Sequence, residues 1–573
     1  MDFESPHQDS ITIDNLTFYS NFDSGNMCRV EKFGQNTYEI FVCPDAASAG
    51  FNSYRTWFYF GVKGFRKATS VKICIANLNY MKVFSTPGYR PVWKCTPGQS
   101  EWQRVPGEAF YEPGNNGFYR YTWSFDINHA DCDYFFAYAT PYSYSDIMKS
   151  IKFFEKTCSP DVYFFREIIV LSIDSRPVEL VTISCKCNFL DAEEERISGL
   201  FPEINPRCLV GKKPIVFITA RVHPGETPAS FLLDGVFKLI LGNDPRGQAL
   251  RSAFVFKIIP VLNPDGVFNG NFRVDQNGVN LNRCYADPNE SLHPTIFAAK
   301  AYFQYHSQNI KYYFDFHAHA SKRSCFLFGN ALEMEKQIDN QLLAKLIEIN
   351  TSYFEYSECD FSEKSMSSKD PKDHNTKEGS GRVALYKLSN IIHCYTIECA
   401  YFILRPLHPI APPIIYKTGK RFLENTNDES VQIVQVFNRT FFDNVSSGIM
   451  IAILDMEKIN PVSRLPLSVF RYLEAGKEWI KARILAHYRL IGKNCSRLNL
   501  LKSEGRAERA TVLPRLPERK VHKMNLITPI FNEVSSSTSQ NRVLFSLGRM
   551  MIAQDTRRIS SFPRLLRPLR NHS

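Results

Sequence analysis

Buried-strand patterns alternate with helical patterns between about residues 166 and 457, and this alternation constrains the fold more than any other feature of the chain. An apolar run at 214–218 precedes a helical pattern at 227–241, and a second apolar run follows at 254–262. Strands that alternate with helices form a largely parallel or mixed sheet whose faces are covered by helices. The sequence therefore predicts an α/β/α domain with a mixed sheet over residues 166–457.

The first 165 residues have a different pattern, typical of an all-β domain. Aromatic and β-branched runs at 56–62, 70–75 and 134–139 are separated by residues that favour turns. Short strands at this spacing indicate antiparallel sheets packed face to face. We predict an N-terminal antiparallel β-sandwich over residues 1–165.

Basic residues are concentrated near the C-terminal end. The 573 residues carry a net charge of +11, but residues 461–573 contain 22 Lys and Arg against 7 Asp and Glu, a net +15 that leaves −4 for residues 1–460. Residues 458–573 are predicted as a basic segment, with an amphipathic helix over 468–490 and disorder beyond it. This charge suits an acidic partner such as a microtubule surface more than nucleic acid, and a solvated tail without a partner explains it equally well.

The sequence shows no sign of secretion or of a membrane span. The N-terminus lacks a basic region followed by an apolar stretch, and no uninterrupted apolar run reaches ~18 residues. The 15 cysteines are scattered, without the dense spacing of a disulfide framework. We predict a chain of the reducing cytosol, with the nucleus as a second location.

A possible metal-binding pair lies in the segment Arg221-Val-His-Pro-Gly-Glu-Thr-Pro228, between a predicted strand and the next helix. His223 and Glu226 are three residues apart in this turn, so both can reach one zinc ion at ~2.0–2.2 Å. The pair alone is a weak signal, because roughly one chance match is expected in a chain of this length. A Glu at a helix start also has a purely structural use. The pair gains weight only with a third ligand and a base.

A third ligand is available at the end of another buried-strand pattern, at 312–319. His317 and His319 both lie there, and spacing alone does not distinguish them. The carboxyl ends of strands meet at one edge of an open α/β sheet, so either His would lie near the first pair. Two His and one Glu would leave a fourth zinc position for water, and the remaining His would be structural or hydrogen-bonded to the site.

A carboxylate and two arginines could complete such a site. A zinc-bound water needs a base, and Glu398 lies within a third strand-like run at 393–399, where a carboxylate is costly to bury without a role. A carboxylate that faces solvent from an edge strand is the structural alternative. Arg273 and Arg283 lie in turn-rich segments, where they would attract anionic groups.

Taken together, six motifs resemble the M14-type zinc metallocarboxypeptidases and, among them, the cytosolic carboxypeptidases. In the family's order they are His-Pro-Gly-Glu at 223–226, Asn-Pro-Asp-Gly at 263–266, Asn-Leu-Asn-Arg at 280–283, Asp-Phe-His-Ala-His at 315–319, Lys-Glu-Gly-Ser-Gly-Arg-Val at 377–383 and Tyr-Thr-Ile-Glu at 395–398. The resemblance covers about residues 14–457. It implies a β-sandwich followed by a zinc carboxypeptidase domain that removes glutamate from the ends or branch points of acidic protein tails such as those of tubulin.

The resemblance also implies roles for the catalytic residues. One zinc ion would be held by His223, Glu226 and His317. Glu398 would act as general base and then as general acid, and Arg273 would polarise the scissile carbonyl.

Four further residues are implied to bind the substrate. Asn282 and Arg283 would hold the free α-carboxylate of the terminal residue. Arg382 falls where the family selects the terminal side chain, and an Arg there favours Glu or Asp, with Lys377 as a second cation.

Two positions depart from the family pattern. Asn280 stands where many members have an Asp that hydrogen-bonds the first zinc-ligand His, so His223 would have a neutral acceptor and a weaker hold on the metal. The mobile phenolic Tyr of the digestive relatives has no clear counterpart, although Tyr386 lies nearby in sequence.

Two other functions compete with a carboxypeptidase. A zinc amidohydrolase of small acylated amino acids could use the same ligands, but it would not need the large aromatic front domain. A non-catalytic microtubule-binding module could rely on the basic segment alone, but every group that the hydrolysis requires is present.

Overall fold

The computed structural model describes residues 10–46 and 54–490, apart from residues 87, 204, 321, 323, 371–374, 402–405, 416–417 and 423–438. The part of the basic segment predicted to be disordered, after residue 490, lies outside the described residues. Within the described ranges, no helix is long and apolar enough to cross a membrane, and the cysteines are free thiols.

Two sheets packed face to face form the N-terminal domain. Its strands are β1 (Ile11–Ile13), β2 (Leu16–Tyr19), β3 (Arg29–Gly34), β4 (Thr37–Phe41), β5 (Tyr59–Lys63), β6 (Thr69–Leu78), β7 (Val92–Thr96), β8 (Gln103–Arg104), β9 (Ala109–Pro113), β10 (Tyr119–Ile127) and β11 (Asp133–Ala137). The sheet orders are β1-β2-β5-β11-β7-β8 and β3-β4-β6-β10-β9. Both sheets contribute to one aromatic core that contains Phe58, Trp123 and Phe136.

Most strand pairs of the sandwich are antiparallel, as predicted, but β4 and β6 run parallel. The reason lies in the chain order, because β5 follows β4 in sequence and belongs to the other sheet. The chain therefore crosses between the two sheets before it returns as β6.

A seven-stranded mixed sheet forms the centre of the second domain, which confirms the predicted fold class. The strands that follow the sandwich are β12 (Val162–Leu171), β13 (Pro177–Cys185), β14 (Phe189–Glu193), β15 (Leu209–Gly211), β16 (Ile215–Ala220), β17 (Val255–Ile259), β18 (Ile310–His319), β19 (Phe326–Phe328), β20 (His393–Ala400), β21 (Ile414–Ile415) and β22 (Val462–Ser463). The order of the large sheet is β12-β13-β17-β16-β18-β20-β19. Its four central strands are parallel, and the strands toward both edges are antiparallel.

Helices cover both faces of this sheet. They are α1 (Tyr144–Thr157), α2 (Pro228–Leu241), α3 (Pro245–Ala253), α4 (Pro264–Phe268), α5 (Pro294–Tyr305), α6 (Met334–Asn350), α7 (Glu363–Ser367), α8 (Gly381–Ser389), α9 (Arg439–Met456) and α10 (Leu473–Leu490). Helices α1, α2, α6, α9 and α10 pack into the core on one face. Residues of α5 and α8 pack into the core on the other. The predicted helix at 227–241 is α2, with Thr227 at its N-cap.

The predicted amphipathic helix near the C-terminal end is α10. Its apolar side, which includes Leu473, Ile480 and Ile484, is buried in the core next to α6, and Lys477 forms an ion pair of 2.8 Å with Asp339 of α6. Helix α1 packs on the same core. The domain boundaries at residues 165 and 457 remain predictions, but α1 and α10 lie outside them in sequence and pack on the catalytic domain.

One loop of the sandwich is hydrogen-bonded to α4 and to the turn that follows it. The hydroxyl of Ser24 donates to the carbonyl of Val267 at 2.8 Å, and the amide group of Asn26 donates to the carbonyl of Gly270 at 3.0 Å. Gly270 has φ +68°, and a Cβ added there would lie 2.5 Å from the carbonyl oxygen of Gly25. The close approach of the two backbones therefore requires a glycine at residue 270.

Side chains of the second domain also enter the aromatic core of the sandwich. Ala318, at the end of β18, and Tyr401, after β20, are buried in that core. The ring of Tyr401 contacts Tyr138 at a centroid distance of 5.3 Å. The two domains therefore share apolar packing next to the ends of the central strands.

Substitution of Gly270 should destabilise the protein through this backbone contact. We expect Gly270→Ala to lower the free energy of unfolding by about 1–3 kcal/mol more than Gly107→Ala, measured by urea denaturation. Gly107 is the matched control, because it also has a positive φ (+77°) but an added Cβ would meet nothing within 4 Å. Equal losses in the two variants would show that crowding against Gly25 is unimportant.

Candidate active site

The carboxyl ends of three neighbouring parallel strands bring the predicted metal ligands and the predicted base together. The turn after β16 carries His223 and Glu226, β18 carries His317, and β20 carries Glu398. His317 and Glu398 are direct partners in the register of β18 and β20. The strand pairing therefore places the base beside a ligand, although the two residues are far apart in sequence.

The turn after β16 is held by a buried arginine. Arg221 adopts a left-handed backbone conformation, with φ +57°. Its guanidinium donates to the carbonyl oxygens of Pro224 at 3.0 Å and Tyr142 at 2.9 Å. These bonds fold the segment so that the His223 and Glu226 side chains point to the same place.

Three buried side chains form a group that could hold a metal ion. Nδ1 of His223 lies 2.8 Å from one carboxylate oxygen of Glu226, and Nδ1 of His317 lies 3.0 Å from the other. The candidate ligand atoms lie within 4.8 Å of one another. Two imidazoles and one carboxylate are a donor set that zinc prefers, and three ligands leave a position for water or substrate.

The outer nitrogen of each histidine has its own acceptor. Nε2 of His223 lies 3.2 Å from the side-chain oxygen of Asn280, and Nε2 of His317 lies 2.8 Å from a carboxylate oxygen of Asp315. An acceptor at Nε2 keeps the proton there, so Nδ1 presents a lone pair to the metal. Asn280 therefore stands where the resemblance implied, and His223 has a neutral acceptor while His317 has a carboxylate.

The electrostatics of this group favour a bound cation. Burial lowers the pKa of His223 to about 4, so this imidazole is neutral. Burial raises the pKa of Glu226, but His223 and His317 more than offset this effect and hold it well below its usual range. Burial also lowers the pKa of His317, yet Asp315 and Glu226 raise it well above its usual value. The carboxylates thus stabilise positive charge where a metal would bind.

His319, the alternative from spacing, lies outside this group. Its Nδ1 accepts a bond of 3.4 Å from the backbone N–H of Lys322, and its ring packs against Phe326 at a centroid distance of 4.9 Å. Burial lowers the pKa of His319 to about 4. Between the two histidines of β18, the structure brings His317 to the candidate metal group.

Glu398 is suited to take up and release a proton. Loss of solvation, together with the charge of Glu226, raises its pKa to about 7 against the opposing effect of His317. A carboxyl group with a pKa near neutrality can serve as base in one step and as acid in the next. Glu398 is partly exposed, which is compatible with access from solvent.

Arg273, implied to polarise the scissile carbonyl, and Arg283, implied to hold the α-carboxylate, converge on one carboxylate of this chain. Arg273 and Arg283 each donate to Oδ2 of Asp370, at 3.0 and 2.9 Å. The amide oxygen of Asn282 accepts a bond of 3.0 Å from the backbone N–H of Gly381. That bond leaves the NH2 group of Asn282 as the donor for a ligand.

The segment with the Lys-Glu-Gly-Ser-Gly motif packs directly on the Asn282–Arg283 turn. The backbone N–H of Tyr285 donates to the carbonyl of Gly379 at 3.0 Å. A Cβ at residue 379 would lie 2.0 Å from the carbonyl oxygen of Arg283, so the approach requires glycine. This contact brings the segment that carries Lys377 and Arg382, on either side of Gly379, against the Asn282–Arg283 turn.

Arg382 and Lys377 both lie beside the ring of Phe328, and these two cations are named the basic pocket. The guanidinium carbon of Arg382 lies 6.0 Å from the ring centroid, and Nζ of Lys377 lies 5.6 Å from it. Arg382 is buried and donates to Gly329 and Asn330, both at 2.7 Å. Burial lowers its pKa to about 10. Burial also lowers the pKa of the half-buried Lys377, and the charges of the nearby arginines lower it further.

Three acidic residues of the site were missed by sequence reasoning. Asp315 had a usable signal, because residues two apart in a strand point to the same face and a buried carboxylate needs a partner. Asp370 and Asp45 had no such signal. Asp45 belongs to the sandwich, and its carboxylate accepts the backbone N–H groups of Phe272 and Arg273, each at 2.7 Å.

Tyr386 does not join the predicted metal ligands. It lies on α8, where burial and, to a lesser extent, the charge of Glu333 raise its pKa. Together with Glu333 it lines a separate groove.

A second group of possible metal ligands, Glu167, Glu194 and Cys208, lies elsewhere in the second domain. Lys257 is buried there, with its Nζ at 2.7 Å from Glu194 and 3.4 Å from Cys208. The ammonium group already supplies the positive charge that a metal would bring, so this group is an internal ion pair.

Comparison with known families agrees with both domains. Residues 18–138 match the family described as the cytosolic carboxypeptidase N-terminal domain, and residues 166–398 match the family described as zinc carboxypeptidase.

The cytosolic carboxypeptidase-like protein 5 of Danio rerio is 31% identical, over 84% of this chain and 68% of that protein. The Homo sapiens protein of the same name is 31% identical, over 81% and 66%. Cytosolic carboxypeptidase 6 of Mus musculus is 32% identical, over 68% and 67%. The chain spans about two thirds of the length of these relatives.

Solved structures show the same fold. A metallo-carboxypeptidase from Burkholderia cenocepacia is similar with a TM-score of 0.56 and 19% identity, over 77% of this chain and 99% of that chain. A metallo-carboxypeptidase from Pseudomonas aeruginosa, solved in complex with (2-guanidinoethylmercapto)succinic acid, has a TM-score of 0.54 and 18% identity, over 76% and 98%. At this level of identity the similarity supports the fold alone.

Substitutions of the acceptors behind the two histidines should change the affinity for zinc in opposite directions. We expect Asp315→Asn to weaken zinc binding by about 10- to 100-fold, because the acceptor behind His317 loses its charge. Asn280→Asp should strengthen it, because His223 gains a charged acceptor. Both dissociation constants can be measured by competition with a chromophoric chelator.

His319→Ala is the matched control on the same strand, and it should leave the zinc dissociation constant unchanged. If His319→Ala loses zinc and His317→Ala does not, the assignment of the third ligand is wrong.

Proposed function

The chain belongs to the cytosolic carboxypeptidase family of M14 zinc carboxypeptidases, and from this premise we propose that it removes glutamate from the C-terminal ends or branch points of acidic protein tails such as those of tubulin. It is thus a metallocarboxypeptidase by family. The proposal concerns its zinc-dependent catalysis, its preference for glutamate and its substrates.

The basic pocket is the observation that carries the preference for glutamate. A terminal glutamate presents two carboxylates, and one of them can pair with Arg283 beside the NH2 group of Asn282. The side-chain carboxylate then needs its own cation, which Arg382 and Lys377 supply around Phe328. Arg382 retains a buried Nε–H without a partner among the described residues. A buried cation of this kind favours an acidic side chain over an apolar one.

The catalytic residues have positions that suit peptide hydrolysis. Zinc, held by His223, Glu226 and His317, would supply a water of lowered pKa and polarise the scissile carbonyl. Glu398 would accept the proton of that water and return it to the leaving amine. Arg273 would stabilise the negative charge that develops on the carbonyl oxygen.

The competing functions are less well supported. A small-molecule amidohydrolase would need no domain to position its substrate loop, whereas Asp45 of the sandwich holds the backbone of Arg273. A module without catalysis would not need Glu398, the predicted ligands and a basic pocket together. We therefore place the activity in the cytosol, on glutamylated tubulin or other acidic tails.

The proposed activity can be tested on branched and linear polyglutamylated tubulin peptides, with mass spectrometry of the products. We expect release of glutamate that a chelator abolishes. Glu398→Gln should keep zinc but lose turnover by orders of magnitude, because an amide cannot accept a proton from water. Release of neither type of glutamate by the zinc-loaded protein would refute the proposal. Near wild-type turnover in Glu398→Gln would remove this residue from the mechanism.

Selectivity for a terminal glutamate should depend on the two cations of the basic pocket. On matched peptides that end in Glu or Leu, Arg382→Ala should raise the barrier for Glu by roughly 2–5 kcal/mol relative to Leu, the cost of leaving a buried charge unpaired. Lys377→Met should cost about 1 kcal/mol or less, because Lys377 is half-exposed. The measurement is the ratio of kcat/KM for the two peptides. Losses of kcat/KM that both peptides share, such as those from the broken bonds to Gly329 and Asn330, cancel in this ratio. An unchanged ratio in both variants would show that other residues determine the selectivity.

The basic tail is proposed to bind the microtubule surface. Residues 491–573 contain 16 Lys and Arg against 5 Asp and Glu. This charge attracts acidic surfaces, and in physiological salt the attraction is screened over a length of ~8 Å.

The test is a deletion of the basic tail, which should begin after residue 490 because α10 packs on the core. It should weaken microtubule co-sedimentation at low salt and leave hydrolysis of short peptides intact. Loss of peptide hydrolysis would instead show that the tail is part of the catalytic unit.

A further inference from the structure

The carboxylate of Asp370 occupies the space between the two arginines assigned to the substrate. A single oxygen, Oδ2, accepts from Nη2 of Arg273 at 3.0 Å and from Nη2 of Arg283 at 2.9 Å. All three side chains are largely shielded from solvent. Bonds between two guanidinium groups and one carboxylate are charge-assisted, and in a shielded cleft they are among the stronger polar contacts of a protein.

The backbone fixes Asp370 at this position. Its N–H donates to the carbonyl of Asn375 at 2.9 Å, and the N–H of Lys377 donates to the carbonyl of Ser368 at 3.0 Å. Lys369 and Thr376 form an isolated antiparallel bridge between these two bonds. These contacts hold the segment that carries Asp370 against the segment that carries the pocket cation Lys377, and rotation of the Asp370 side chain would break its bonds to the arginines.

The bridge places a carboxylate where the proposed mechanism needs to bind one. Arg283 also donates through Nη1 to the carbonyl of Asn282 at 2.8 Å, so its guanidinium is already engaged on both sides. An incoming α-carboxylate that pairs with Nη2 of Arg283 must share this donor with Asp370 or replace it. Two carboxylates around the same guanidinium repel each other, which favours replacement.

We propose that Asp370 is a resident carboxylate that bridges Arg273 and Arg283 and competes with the C-terminal carboxylate of substrate and product for Arg283. This inference rests on the proposed function, because it takes Arg283 as the site of the terminal carboxylate. The product of deglutamylation is free glutamate, whose two carboxylates would pair with Arg283 and with the basic pocket. The return of Asp370 to the arginines lowers the affinity for this product and so promotes its release.

A role in competition and a role in positioning predict opposite changes in the Kd of ligands that carry an α-carboxylate. If Asp370 competes, Asp370→Asn frees the guanidinium groups, and ligands with an α-carboxylate bind more tightly. If Asp370 only positions the arginines, the same substitution leaves them misplaced, and these ligands bind more weakly. Because the two roles differ in sign, the size of the effect does not have to be known in advance.

The test measures binding of L-glutamate to the zinc-loaded Glu398→Gln protein by isothermal titration calorimetry, so that it does not depend on turnover. We expect Asp370→Asn to lower the Kd for glutamate by about tenfold. L-isoglutamine, which lacks the α-carboxylate but keeps the side-chain carboxylate, should bind with an unchanged Kd. Glu363→Gln is the matched control, because it removes one negative charge from an exposed position seven residues away in sequence and should change neither Kd.

Asp370→Glu should keep the wild-type Kd within a few-fold, because it retains the charge, and it serves as the second variant if the asparagine variant loses zinc or melts early. A higher Kd for glutamate in folded, zinc-loaded Asp370→Asn would overturn the inference in favour of positioning, and an equal gain for isoglutamine would overturn it in favour of a general charge effect. A wild-type protein that binds glutamate but cleaves neither peptide would contradict the proposed function and leave the sign of the Asp370 effect as a separate result.

Discussion

The parallel pairing of β16, β18 and β20 is the constraint on which the rest of the site depends. In-register parallel strands end at the same edge of the sheet, so residues that follow or terminate them become neighbours whatever their distance in sequence. His317 and Glu398 are register partners, and the turn after β16 adds the other candidate ligands. A slip of one residue would turn these side chains to the opposite face of the sheet. The apolar packing on both faces of the sheet therefore also fixes the geometry of the polar edge.

At that edge, several buried charges have a partner of opposite sign. Glu226 lies between two imidazoles, Asp315 supports one of them, and Asp370 joins two arginines. Isolated charges would be costly to bury, and here each cost is offset by a specific contact. The same contacts shift the pKa of His317 and Glu226 in ways that suit a bound cation, and loss of solvation raises the pKa of Glu398 to suit a proton acceptor. Stability and chemistry at this site thus depend on the same few ion pairs.

The sequence predicted the features that depend on short-range patterns. The alternation of strands and helices predicted the mixed sheet, and the spacing of His223 and Glu226 in one turn predicted a pair of ligands. Asn280 was expected behind His223 from the family pattern, and the structure places it there. The periodicity of two in β18 would have found Asp315 as well, had the buried carboxylate been matched with a partner.

Long-range contacts could not be predicted in this way. Nothing in the sequence around Asp45 or Asp370 shows that these residues reach Arg273 from two different parts of the chain. Spacing also did not distinguish His317 from His319 as the third ligand, because which of them lies beside His223 and Glu226 depends on how β18 pairs with its neighbouring strands. The packing of α10 on α6 joins elements that are far apart in sequence, and a charge count assigned that helix to the basic tail.

The shared packing between the domains has a consequence for the energetics of the whole molecule. Because Ala318 and Tyr401 are part of the sandwich core, and Asp45 holds the backbone of Arg273, the sandwich cannot unfold without exposing apolar surface beside the catalytic cleft. The two domains are therefore thermodynamically coupled. By mass action, a ligand that binds only the native cleft stabilises the sandwich too, although it contacts none of its strands. The stability of the β-sandwich therefore depends on whether a ligand occupies the candidate active site. In turn, changes far from the candidate metal site can alter the apparent affinity for that ligand through the folding equilibrium alone.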